Sequence, residues 1–430
     1  MIKFDESRFI KTTLGELVSK EKKSIISGPF GSNVGKRFFQ EEGIPLIRGN
    51  NLSKGQEKFK DEGFVFLTKE KANELNCYAI KNDLIFTAVG TIGQVGIIDE
   101  KLKFEEYVIS NKQLRARFDE SIITPLFAYY WFSSYWVQKL ILQRNVGSTV
   151  PLINLSVLKG LPITLPKSLK TQNNIVNVLE NISSKIAINN KINAALEAMA
   201  KTLYDYWFVQ FDFPDKNGKP YKSSEGKMIF NEELKREIPV GWEVGILGDI
   251  GKISMCKRVL KHETSSDEEI PFFKISTFGK DAKTFISRNL FESYREKYSY
   301  PKSGDILISA AGTIGKTVIF DGKLSYFQDS NIVWLANDES KIPNSFLYYY
   351  YQKEPWIVTG GSTIKRLYND NIRNLKICFP PLDVLKHFSK IVNPMLDKQQ
   401  QIVNENKKLS ELRDWLLPML MNGQVSVGEK

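Results

Sequence analysis

The sequence predicts an α+β protein made by internal duplication, with two mixed, strand-rich domains, each followed by a long helix. Three observations carry that prediction. Asp83-Leu-Ile-Phe-Thr-Ala-Val-Gly-Thr-Ile-Gly93 returns as Asp305-Ile-Leu-Ile-Ser-Ala-Ala-Gly-Thr-Ile-Gly315, identical at six of eleven positions. Further matches follow in the same order at shrinking separations. Ile44-Pro45 and Ile270-Pro271 are 226 residues apart, the two Gly-Thr-Ile-Gly turns 222, and Ser110-Asn111 and Ser330-Asn331 220. Gly147-Ser148-Thr149 and Gly361-Ser362-Thr363 are 214 apart, as are Pro166 and Pro380. Finally, residues 172–207 contain no glycine or proline and repeat apolar residues at helical spacing. A period above 200 residues marks two copies of a domain and not a solenoid.

Taken in order, residues 1–165 form the first mixed domain, 166–212 the first helical region and 213–239 a linker. Residues 240–380 form the second mixed domain, 381–425 the second helical region and 426–430 a tail. Asp83–Ala88, Val95–Ile98, Asp305–Ser309 and Thr317–Phe320 are short runs of Val, Ile, Phe and Thr bounded by Gly, Asp and Asn, which predicts strands and turns. Asp212-Phe213-Pro214-Asp215-Lys216-Asn217-Gly218 has linker chemistry. The first helix carries Ile182, Ile186, Ile192, Leu196, Met199 and Leu203 along one stripe. In the second, Asn393-Pro394 reads as an N-cap with proline at the first turn, and Met395, Ile402, Leu409, Leu412, Leu416 and Leu420 continue a similar stripe. Helices of ~35 and ~30 residues, roughly 45–50 Å long, must cover those stripes, and pairing with each other as a coiled coil does so. Asn189, Asn193, Gln399 and Asn406 near the seam would fix its register.

The composition excludes several function classes. No run of 18 apolar residues exists and the N-terminus has no apolar leader, so neither a membrane span nor a signal peptide is expected. Cys77, Cys256 and Cys378 lie too far apart for a zinc site or a disulfide framework, which fits a reducing cytoplasm. With two histidines, His262 and His387, a histidine metal site is not expected either. The net charge of +11 favours a polyanionic partner, and the excess is shared: residues 1–165 carry 23 basic against 18 acidic groups, residues 240–380 carry 19 against 16.

Ala310-Ala-Gly-Thr-Ile-Gly315-Lys316-Thr317 resembles a phosphate-binding loop, but Val318-Ile319-Phe320 after it read as a strand, where such a loop needs a helix. An ATPase is therefore a remote alternative, and no catalytic constellation emerges elsewhere. The aromatic runs Phe127–Trp136 and Phe346–Tyr351 read as a core helix in each copy rather than a stacking platform. Basic, amide and hydroxyl residues in loops are the candidates for DNA contact. In the first copy they are Lys36, Arg37, Arg48, Asn50, Asn51, Thr91, Asn111, Lys112, Arg144, Ser148 and Thr149. In the second they are Lys257, Arg258, Lys274, Thr313, Lys316, Asn331, Ser362, Thr363, Lys365 and Arg366.

This pattern resembles the specificity subunit of a type I restriction–modification system over nearly the whole chain. The carriers are Gly28-Pro29-Phe30-Gly31-Ser32, Gly43-Ile44-Pro45-Leu46-Ile47-Arg48-Gly49, both Gly-Thr-Ile-Gly turns, Gly147-Ser-Thr-Val-Pro-Leu-Ile-Asn154, Leu203-Tyr-Asp-Tyr-Trp-Phe-Val-Gln-Phe-Asp-Phe-Pro214 and Ile238-Pro-Val-Gly-Trp242. The resemblance implies two target recognition domains, each reading one half of a split double-stranded DNA site. It also implies two helices that pair antiparallel about a pseudo-two-fold axis, set the gap and dock the methyltransferase subunits, two of them by expectation. A restriction subunit would hydrolyse ATP and cut; the chain itself would be non-catalytic, would hold no cofactor and would lie in the cytoplasm. The second copy lacks Gly-Pro-Phe-Gly and has Lys365-Arg366 where the first has Pro151-Leu152, so the two half-sites should differ. A stand-alone sequence-specific DNA binder is the main alternative.

Overall fold

The structure, a computed structural model, describes residues 8–53, 58–99, 102–356 and 366–427. The chain divides into two compact units, residues 1–189 with 405–430 and residues 190–404. The first unit runs β1 (Phe9–Thr13), β2 (Ile25–Ser27), β3 (Ile44–Ile47), β4 (Val65–Leu67), α1 (Lys69–Leu75), β5 (Tyr78–Ile80), β6 (Leu84–Thr87), β7 (Val95–Ile97), β8 (Glu106–Ile109), β9 (Gln113–Ala116), α2 (Pro125–Phe132), α3 (Tyr135–Gln143), α4 (Leu155–Lys159) and β10 (Pro162–Pro166). One sheet has the order β2-β9-β6-β7, all antiparallel. A second has the order β4-β3-β8-β5, with β3 and β8 parallel. Antiparallel β1 and β10 close the domain. Local chemistry sets the helix starts: the Thr68 hydroxyl accepts from Lys71 N at 3.2 Å, the Asn154 side chain from Val157 N at 2.9 Å, and Pro125 opens α2. The aromatic run is core. Phe127 and Phe132 are fully buried, with Phe132 edge-on to Phe86 at 5.8 Å.

Helix α5 (Leu169–Tyr204) follows, and the second unit then repeats the plan. It holds a hairpin of β11 (Met228–Asn231) and β12 (Arg236–Pro239), then β13 (Glu243–Ile246), β14 (Gly251–Ser254), β15 (Ile270–Phe273), β16 (Phe285–Ile286), α6 (Arg288–Lys297), β17 (Ile306–Ser309), β18 (Thr317–Ile319), β19 (Tyr326–Phe327), β20 (Ile332–Asn337), α7 (Asn344–Tyr351), α8 (Asn369–Arg373), β21 (Lys376–Phe379) and the first part of α9 (Leu382–Met421), whose residues from 405 onward belong to the first unit. The order β14-β20-β17-β18 reproduces β2-β9-β6-β7, parallel β15 and β19 reproduce β3 and β8, and β13 with β21 reproduces β1 with β10. Register refines the match read from the sequence. Ile85 pairs with Arg115, which pairs with Ile26; Leu307 pairs with Trp334, which pairs with Ser254. The turn from β8 to β9 has three residues, Ser110-Asn111-Lys112, whereas that from β19 to β20 has four, Gln328-Asp329-Ser330-Asn331. The Ser-Asn dipeptides thus sit one or two places out of structural register.

In the first unit the two long helices run antiparallel, since Ile175 and Leu179 share a core cluster with Leu420 and Met421 while the Asn189 amide donates to Glu405 at 2.9 Å and to Asn406 at 2.8 Å. The second unit shows the same sense: Gln399 donates to the Asn193 carbonyl at 3.2 Å and to Glu197 at 3.1 Å, and Tyr204 and Trp207 pack on Phe388. The inward positions follow a strict seven-residue repeat, Gln172, Leu179, Ile186, Asn193 and Ala200 on α5, and Leu385, Val392, Gln399, Asn406 and Arg413 on α9. Of the predicted stripe, Ile182, Ile186, Leu196, Leu203, Met395, Ile402, Leu409, Leu416 and Leu420 are buried or half-buried. Ile192, Met199 and Leu412 are not, at 39%, 57% and 44% exposure, because Asn193, Ala200 and Arg413 take the inward places beside them. The Asn393-Pro394 start is also corrected. Helix α9 begins at Leu382 and runs through Pro394, since Leu385, Phe388 and Val392 are buried in the domain core and that packing outweighs one missing backbone hydrogen bond.

Candidate nucleic-acid interface

Each unit carries a polar groove, and the two grooves share two matched connections: the end of β3 or β15 and the turn after β8 or β19. In the first, the end of β3, the β6–β7 glycine turn and the β8–β9 turn enclose about 560 Å³ lined by Arg48, Asn50, Thr91, Gln94, Asn111, Lys112 and Gln113 among others. Backbone packing fixes these walls. Gly28 donates its N–H to the Gln113 carbonyl at 2.9 Å, and a Cβ there would lie 1.8 Å from the Ser110 carbonyl oxygen, so only glycine fits. The Asn51 amide donates to the carbonyls of Lys60 at 3.0 Å and Glu62 at 2.9 Å, and its oxygen accepts from Arg48 N at 2.9 Å. Above this peg the Arg48 guanidinium donates to the Gly63 carbonyl at 3.0 Å, while its Nε is buried without a partner among the described residues.

In the second unit the groove encloses about 420 Å³ and is lined by Arg258, Lys261, Lys274, Gln328, Asp329, Asn331 and Arg366 among others. The Arg366 guanidinium donates to the Ser330 carbonyl at 2.7 Å, holding a turn whose Ser330 adopts a left-handed φ of 52°. Beneath it, burial pushes the Cys256 thiol up to about 12 and raises the Tyr326 phenol, so both stay neutral at physiological pH. The charge of the groove is left to its lysines, arginines and Asp329.

The predicted contact residues divide accordingly. Arg48, Asn50, Thr91, Asn111 and Lys112 share the first groove; Arg258, Lys274, Asn331 and Arg366 share the second. Exposed Lys36 and Arg37 sit beside the first groove, with Arg37 4.7 Å from the Phe38 ring. Arg144, Ser148 and Thr149 lie on a separate loop, where Arg144 donates to the Gly160 carbonyl at 2.6 Å. Two assignments are corrected. Asn51 is fully buried and its side chain is consumed as a backbone peg. Lys316 turns inward and donates to the Phe278 carbonyl at 2.8 Å. Lys257 and Thr313 are exposed but do not line the groove. Ser362, Thr363 and Lys365 lie outside the described residues. Sequence reasoning missed Gln94, Gln113, Gln328 and Asp329, which become visible only when the turns are folded together, and also Phe30, 84% exposed. The phosphate-loop look-alike joins antiparallel β17 and β18, so a strand follows it where a helix would be needed, and Ser309 N donates to the Lys316 carbonyl at 2.9 Å; the ATPase alternative falls.

The grooves bring together Arg, Lys, Asn and Gln side chains, the donors that pair with base edges and phosphates. Among the described residues no group of three or more His, Cys, Asp or Glu is placed to hold a metal, and no helix is long and apolar enough to cross a membrane.

Comparison with known proteins agrees. The family described as "Type I restriction modification DNA specificity domain" matches residues 10–198 and 239–412. The type I restriction enzyme MjaIX specificity subunit of Methanocaldococcus jannaschii is 27% identical over 100% of this chain and 99% of its own. A provisionally assigned type I restriction enzyme specificity subunit of Haemophilus influenzae is 50% identical over 186 residues; that match spans 43% of this chain and 46% of the relative, so less than half of either. In fold, the chain is similar to the crystal structure of the type I restriction–modification S subunit from M. genitalium, with a TM-score of 0.57 at 18% identity over 98% of both chains. Two copies of the specificity domain fill most of its length, and the chain belongs to the type I restriction–modification specificity family.

Proposed function

We propose that the chain is the non-catalytic DNA-reading subunit of a type I restriction–modification complex, in which each unit's groove reads one half of a split duplex site. The observation that supports this most is a polar groove in each unit of a duplicated scaffold, built on two matched connections, the end of β3 or β15 and the turn after β8 or β19, with different linings. Identical scaffolds with unlike Arg, Lys, Asn and Gln groups suit two unlike half-sites. Methyl transfer to adenine, ATP hydrolysis and strand cleavage would belong to partner subunits, two modification subunits and a restriction subunit, and no cofactor would bind this chain. The outward apolar residues of the helices, Ile188, Ile192 and Met199 on α5 and Leu412 and Trp415 on α9, suit the docking of modification subunits. The paired helices would set the gap between half-sites.

Selection of duplexes from a randomised pool, by the chain together with its modification subunits, tests the reading. A two-part site with an unread gap is expected, and Arg48→Ala should weaken binding and relax one half-site only. Recovery of a single undivided site, or methyl-donor binding by the isolated chain, would refute it.

A further inference from the structure

The two copies serve as an alignment of the protein with itself, and they part company at a position that lines the groove of the second copy only. From the paired strands, Ser254 occupies the place of Ile26, both being opposite matched positions of the central strand. Four residues further along the chain in each copy, Phe30 and Arg258 follow these strands, Phe30 lining a separate hollow and Arg258 the groove. The first copy presents a bare phenyl ring there, and the second a guanidinium, 67% exposed. The facing turn changes with it: the second copy has one residue more between its strands and places Asp329, 17% exposed, against that guanidinium. Arg258 Nε donates to Asp329 Oδ2 at 2.9 Å. Both partners are thus peculiar to the second copy and meet on the wall of its groove.

A carboxylate is out of place on a surface that only grips phosphate, because it repels the backbone and cancels the neighbouring cation. It has a use where an arginine must be held in one orientation. Bonding through Nε leaves the Nη1/Nη2 edge, two parallel donors, facing away from Asp329. That edge matches the paired acceptors O6 and N7 of guanine in the major groove.

We propose that Arg258, oriented by Asp329, reads a guanine in the second unit's half-site, with no counterpart contact in the first. This rests on the DNA-reading function proposed above. Arg258 contacts the base; Asp329 is a positioning residue. The test uses the full chain with its modification subunits and a randomised duplex pool at fixed salt. The wild type should select guanine at one position of one half-site by about 10- to 100-fold over other bases. R258A and R258K should both abolish that preference, since lysine keeps the charge but loses the fork, while the other half-site stays intact. D329A should soften the preference severalfold at that same position and leave the salt dependence of binding unreduced. If R258A weakens all sequences alike, keeps both half-sites and lowers the salt slope by about one, Arg258 grips phosphate and the proposal is wrong. If D329A shifts a different position, the orienting role is wrong. A wild type that selects no split site sinks the DNA-reading function itself, a result distinct from a split site whose bases ignore Arg258.

Discussion

Asp83 and Asp305 stand at the head of the same strand in the two copies, each accepting from the backbone N–H three residues before it, but the side chains around them differ. Asp83 is wholly buried and accepts from Arg117 Nε and Nη2, both at 2.8 Å, and from Arg115 Nη1 at 3.2 Å. Arg115 is itself 3% exposed, and burial works to lower its pKa while Asp83 works to raise it. In the second copy the register puts Trp334 where Arg115 is, fully buried, and Ala336 where Arg117 is. Asp305 keeps a hydrogen bond from Lys302 N at 2.7 Å, and burial raises its carboxyl above the usual carboxylate range. The backbone plan survives either solution. A buried ion network can be replaced by an aromatic core on the same strands, but its members cannot be removed one at a time.

The largest effect should follow from breaking the first network alone. Asp83→Ala strands the Arg115 charge in the core and should cost about 3–5 kcal/mol in denaturant unfolding of the first unit. The double change Asp83→Leu with Arg115→Leu should recover much of it; failure to recover would mean the network is more than a charge-balancing device. Next comes the seam. Ile186→Ala removes a buried side chain and should cost about 2–4 kcal/mol, while Met199→Ala on the outward face should stay within about 0.5 kcal/mol yet weaken binding of a modification subunit. Equal thermal losses would put Met199 back in the seam. Asn51→Ala should cost about 1–3 kcal/mol, because the Lys60 and Glu62 carbonyls lose their donor, whereas Asn50→Ala should spare stability and reduce DNA binding. The smallest effect is expected at Asp305. Its carboxyl titrates higher in the native state than in the unfolded chain, so the native state holds more protons between those two values and stability falls as pH rises through that window. Asp305→Asn should flatten that slope and leave stability at neutral pH equal or higher; a loss like that of Asp83→Ala would show that the two sites are not opposites.

Much of this was legible in the residues. The strands around both Gly-Thr-Ile-Gly turns, the aromatic core helices, the duplication and the existence of two long helices all rest on local periodicity and turn chemistry. The phase of the helix seam was not. The seam amides Asn189 and Asn193 were legible, but Ile192 and Met199 are the apolar choice beside them, and only the partner helix makes Ala200 the inward one. The true start of α9 was hidden for the same reason, since Asn393-Pro394 signals a helix start locally while burial of Phe388 overrides it.

The amino-acid order by itself determined the two-copy plan, the basic loops and the family, because those are written in spacing and short motifs. Tertiary structure alone decided which polar residues are spent inside. Asn51, Lys316 and Arg115 look like any exposed group in the sequence, and Asp329 like any solvated acid. Their roles depend on partners from 9 to 71 residues away, as Asn51 to Lys60 and Arg258 to Asp329 show, and on the cost of leaving a buried polar group unpaired, which the linear chain does not display.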